Sequence, residues 1–86
     1  MPRYVTFHTL ACLTRQGAET LAMELTQATP VRARRVQVSL FDGKMLVEFE
    51  AGSREELEKW LAEHKFHFDS IFRVEYESRD GALVAV

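Results

Sequence analysis

Along residues 34–51, RRVQVSLFDGKMLVEFEA, apolar and polar side chains alternate in two short runs on either side of Asp42-Gly43. A period of two belongs to strands half-buried on a sheet, and Asp-Gly between such runs marks a hairpin, because glycine tolerates the positive φ of a two-residue turn. That turn would oppose Leu40 with Met45, Val38 with Val47 and Val36 with Phe49, all apolar. Ser39 with Leu46, Gln37 with Glu48 and Arg35 with Glu50 would share the other face, the last pair carrying opposite charges.

The same reading extends along the chain. RYVTFHTL, residues 3–10, alternates as a first strand, with Val5 and Phe7 on one side and Tyr4, Thr6 and His8 on the other. Thr14 is placed to cap a helix whose apolar stripe is Ala18, Leu21, Ala22 and Leu25, and Thr29-Pro30 ends it. Ser53 with Glu56 forms a capping box for a second helix, with Leu57, Trp60, Leu61 and His64 inside. After an aromatic connection at Phe66 to Asp69, residues 71–77 alternate again, which puts Phe72, Val74 and Tyr76 inward and Ile71, Arg73, Glu75 and Glu77 outward. Asp80-Gly81 is a further turn signal, and LVAV at residues 83–86 reads as a short extra strand or an arm over a sheet edge.

Two helices and four strands in the order β-α-β-β-α-β specify an α+β, ferredoxin-like sandwich with a four-stranded antiparallel sheet in the order 4-1-3-2. The expected domain is single, 1–86, with core 3–77 and tail 78–86. Its expected core is Val5, Phe7, Val36, Val38, Leu40, Val47, Phe49, Phe72 and Val74. Tyr4, Phe41, Leu46 and Ile71 are then left on the other sheet face among Thr6, His8, Gln37, Glu48 and Arg73, and a face so mixed is expected to pair with a second copy.

Composition sets bounds on this picture. At 86 residues, 47% of them hydrophobic, the chain is a folded domain with a modest core, which favours partner association. No apolar run reaches the roughly 20 residues of a membrane span, and the single cysteine, Cys12, forms no internal disulfide, so the expected location is the cytoplasm. A formal charge of −2 offers no general attraction to nucleic acid. Arg32, Arg34 and Arg35 could meet phosphate locally, but Glu48, Glu50, Glu75 and Glu77 repel a polyanion from the sheet, and no nucleic-acid partner is expected.

No nucleotide, protease, kinase or zinc-finger motif is present. The topology would bring His8, Cys12, His64 and His67 to one rim, where imidazole nitrogens and a thiolate suit nickel or zinc and Asp69 could add an oxygen. A buried packing histidine and an inert cysteine are the plainer roles. His8 could instead transfer protons in a sheet-face pocket with Glu48 and Arg73, Tyr4 bounding it, which is the enzyme alternative for a small organic substrate. The leading expectation is a homodimeric module that binds a small ligand or serves a structural role.

The runs YVTFHT, VSLFDGKMLVEFEA before a helix, and FDSIFRVEYE after it resemble the small ferredoxin-like proteins of the nickel-binding-protein-like family, domain of unknown function 4242. The resemblance spans about residues 2–77 and implies a small dimeric α+β domain and nickel or another divalent transition metal as a ligand.

Overall fold

A computed structural model describes residues 1–86. Its elements are β1 (Arg3–Thr9), α1 (Arg15–Gln27), β2 (Arg32–Ser39), β3 (Lys44–Glu50), α2 (Arg54–Glu63), β4 (Ser70–Val74), β5 (Tyr76–Arg79) and β6 (Ala82–Ala85). The first four strands in this order form one sheet, β2-β3-β1-β4, with antiparallel neighbours throughout, and both helices cover one of its faces. This is the ferredoxin-like arrangement expected from the pattern.

The helices start where their caps direct. Thr14 Oγ1 accepts from Gly17 N at 3.0 Å, and Ser53 Oγ accepts from Glu56 N at 3.1 Å, each satisfying a donor that the first turn would otherwise leave unpaired. Helix α2 ends in a Schellman turn: Phe66 N donates to Leu61 O at 2.9 Å and Lys65 N to Ala62 O at 3.1 Å. The core between sheet and helices comprises Tyr4, Leu25, Val31, Ala33, Met45, Val47, Phe49, Ala51, Leu57, Trp60 and Leu61. Phe49 and Trp60 meet edge to face, ring centroids 5.9 Å apart.

The β2–β3 hairpin is not closed by a two-residue turn. Ser39 pairs with Lys44 across a four-residue loop, Leu40 to Gly43, so Val38 opposes Met45 and Val36 opposes Val47. The expected register is therefore off by two residues, which preserves which face each side chain occupies. Ser39 Oγ donates to Asp42 Oδ2 and accepts from Asp42 N, and only Gly43 takes a positive φ, 64°. Gly43 O also accepts from Leu10 N at 2.9 Å, and a Cβ on Gly43 would stand 3.0 Å from Leu10 O, so this corner demands glycine twice over. The two-residue type I′ turn occurs instead at Asp80-Gly81, φ 53° and 82°, between β5 and β6.

The larger correction concerns β1 and β4. Tyr4 pairs with Phe49, Thr6 with Val47 and His8 with Met45, so Tyr4, Thr6 and His8 face the helices while Val5 and Phe7 face away. Through the β1–β4 ladder, Ile71 and Arg73 join the helix side, and Phe72 and Val74 lie on the outer face. Of the expected core, Val47 and Phe49 are fully buried and Val36 packs at its margin. Val38 and Leu40 point to the helix side but remain 43% and 42% exposed, while Phe41 stands free at the loop tip. Tyr76, expected inside, is exposed on β5. Polar residues occupy the inner side of β1 because each finds a partner there: Thr6 Oγ1 and His8 Nε2 lie 2.7 Å apart, and no buried side-chain polar atom is left unbonded.

Phe49→Ala should lower unfolding stability by about 3–5 kcal/mol, whereas Phe41→Ala should change it by less than about 0.5 kcal/mol. Chemical denaturation of the two variants measures both, and equal losses would contradict the packing described.

Candidate functional site

The four residues expected on one rim take separate roles. His8 is 1% exposed and stacked on Phe66, ring centroids 4.0 Å apart and planes 5° from parallel. Its Nδ1 lies 2.7 Å from the carbonyl of His67. A carbonyl only accepts, so Nδ1 carries the proton and Nε2 accepts from the Thr6 hydroxyl. Both ring nitrogens are thus occupied in the neutral ring. Burial lowers the His8 pKa below the ordinary histidine value; the His67 carbonyl and the charge of Asp69 oppose that shift, and His67 adds to it.

His64 is stacked on Trp60 at 4.0 Å, its Nδ1 donating to the Trp60 carbonyl at 2.9 Å. His67 and Cys12 are exposed. Asp69 holds Thr9 through Oδ2 at 2.7 Å, and Lys44 reaches the same hydroxyl at 2.8 Å. No three His, Cys, Asp or Glu side chains assemble into a metal-binding group. This donor set does not fit a nickel or zinc centre, which needs several converging nitrogen or sulfur ligands.

The proposed proton-transfer set is divided by the sheet. His8 and Arg73 belong to the helix side, as does Tyr4, while Glu48 pairs with Val5 and lies on the outer face. His8 therefore reaches neither carboxylate nor substrate there.

What the outer face does hold is a concavity of about 460 Å³, with Val5, Phe72 and Val74 on one side and Arg34, Arg35, Glu48 and Glu77 around it. A β-bulge builds its basic wall. Ala33 pairs with Phe49 and Arg35 with Glu48, leaving Arg34 as the extra residue between them. Two consecutive arginines, which a regular strand would send to opposite faces, both line this concavity. Arg34 Nε lies 2.9 Å from Glu50 and Nη1 lies 3.7 Å from Glu48. Arg3 bridges Glu48 at 3.9 Å and Glu77 at 2.8 Å, and its hydrogen bond holds the Glu77 carboxyl below the ordinary carboxylate range. Arg35 has no ion-pair partner. The arginine run was visible in the chain; the bulge that aims it was not, because nothing in RARR distinguishes a bulge from regular alternation.

Beside this concavity the outer face carries apolar Phe7, Leu46 and Phe72 among polar Thr9, Gln37, Ser39 and Lys44. Phe7 and Phe72 lie 6.1 Å apart, 38% and 49% exposed. Comparison with protein families, characterised proteins and solved structures gives no match to this chain. No helix is long and apolar enough to cross a membrane.

Because the folded-state pKa of His8 is lowered, neutral His8 supports the fold fully above about pH 6.5, and that support is lost as pH falls through its folded value. Thermal unfolding should show a midpoint that declines below about pH 6.5, and the folded His8→Gln variant should lose this part of the slope. An unchanged slope in that variant would remove His8 as the cause.

Proposed function

We propose that the protein is a homodimeric small-ligand-binding module in which the outer sheet faces of two copies meet and enclose the arginine-lined concavity. The observation that carries this reading is the outer sheet face itself. A sheet ordinarily buries both apolar faces or keeps one polar, and here Val5, Phe7, Phe72 and Val74 share the outer face, where the base of the β5–β6 hairpin lies beside buried Val5 while Phe7 and Phe72 stay 38% and 49% exposed.

The β5–β6 hairpin supports the same assembly. Glu77, bonded to Arg3, ties its base to the outer side of the sheet, and Val86 N donates to Glu75 O. Beyond that base the hairpin exposes Leu83, Val84 and Val86. An isolated two-stranded hairpin is marginal in water, so an arm with apolar side chains gains most by packing on another surface. Four strands about 4.8 Å apart and about six residues long at ~3.4 Å each project an area of roughly 400 Å². A standard interface buries about 800 Å² per partner. The sheet face alone falls short, and two arms reaching across the two-fold axis would enlarge it.

In such a dimer Arg35, the free cation of the concavity, faces an enclosed space where a small ligand with an anionic group would be held against Val5, Phe72 and Val74. Proton transfer by His8 is not part of this reading, since its ring is buried and fully bonded on the other side of the sheet.

Light scattering should give twice the 9.9 kDa chain mass at micromolar concentration, and Phe72→Glu should return the mass to that of one chain without loss of helix signal. A concentration-independent single-chain mass for the parent protein would reject the proposal.

A further inference from the structure

A cleft of about 500 Å³ opens between α1 and α2, on the side of the sheet opposite the outer face. Its floor is apolar, formed by Leu21, Leu25, Trp60 and Phe66, and its size lies within the ~300–1,000 Å³ of small-molecule sites. His64, stacked on Trp60, holds one wall in place through its bond to the Trp60 carbonyl.

Two opposite charges border this floor. Glu24 comes from α1 and Lys65 from the turn that ends α2. Neither forms an ion pair with the other or with any other side chain, so they stand apart across the cleft. Lys65 also occupies the left-handed position of the Schellman turn, φ 54°, where glycine is favoured because a Cβ is strained. A strained residue kept at the mouth of a cavity is a reason to look for a ligand there.

We propose that this cleft binds a small zwitterion with an apolar or aromatic body, chemically an amino acid. Its carboxylate pairs with Lys65, its ammonium with Glu24, and its side chain lies over Leu21, Leu25 and Trp60. Glu24 and Lys65 are exposed, so a ligand with only one charge forgoes one of the two charge-assisted contacts and binds more weakly. The site is independent of self-association, because it lies on the helix layer.

Trp60 is the chain's single tryptophan and reports occupancy directly through its emission. The probes are L-phenylalanine, hydrocinnamate, which lacks the ammonium, and phenethylamine, which lacks the carboxylate. L-phenylalanine should shift Trp60 emission saturably, with each analogue at least about tenfold weaker. Lys65→Gly relieves the turn, so it should raise the unfolding midpoint by a few degrees while weakening L-phenylalanine at least about tenfold and leaving phenethylamine unchanged. Absence of saturation by about 10 mM L-phenylalanine, equal binding of either analogue, or unchanged affinity in Lys65→Gly would overturn the proposal. The same titration on Phe72→Glu separates the two sites: binding retained in a single-chain species supports the cleft whatever the oligomeric state, and binding lost with dissociation overturns its independence.

Discussion

Pairing of Thr6 with Val47 across the β1–β3 ladder is the constraint from which both faces of the molecule follow. Side chains alternate along a strand, so this one register sends Tyr4, Thr6 and His8 under the helices and Val5 and Phe7 to the other side. Through β4 it then places Ile71 beneath the helices and Phe72 outside. A shift of one residue would trade a bonded histidine and threonine for two apolar side chains in the core, and would leave the outer face polar. The protein adopts the opposite arrangement.

That arrangement is stable because the polar side of β1 is fully bonded. The His8 ring links Thr6 on its own strand to the His67 carbonyl beyond α2, and it packs flat on Phe66. Phe66 is in turn positioned by the Schellman turn that stops α2. One neutral histidine therefore joins the central strand, a helix terminus and the connection to β4. It serves the fold as a buried polar crosslink, while on the other side of the strand Val5 is buried and Phe7 stays 38% exposed.

The order of the elements through β4, both helix caps and the turn at Asp80-Gly81 were legible from local chemistry, since a cap or a type I′ turn depends on residues only a few positions apart. The single strand expected over 71–77 instead breaks at Glu75 into β4 and β5, so that Tyr76 and Glu77 belong to the separate β5–β6 hairpin and not to the four-stranded sheet. The sheet order followed from connectivity. The facing of β1 and β4 was not legible, because YVTFHT offers two alternating sets and apolarity favours Val5 and Phe7. What reverses that preference is the His67 carbonyl, supplied from residue 67 by tertiary structure. The Asp42-Gly43 corner was misjudged for a similar reason: Ser39 and Leu10 both bond the loop, and neither belongs to the two-residue turn rule. Of the candidate site, the arginine run was visible, whereas its convergence depends on a bulge opposite Phe49 and Glu48. The helix cleft was foreshadowed only by the Trp60 and His64 spacing, and Lys65 became informative once its φ was known.

The outer face is thus the consequence of a polar inner strand, and its association with a second copy is the central claim. An isotope-filtered nuclear Overhauser experiment on a mixture of labelled and unlabelled chains tests it most directly. The account predicts contacts between the Phe7 and Phe72 rings of one chain and the Leu83, Val84 and Val86 methyl groups of the other. A mixed sample with well-resolved intramolecular contacts and none between chains would contradict it.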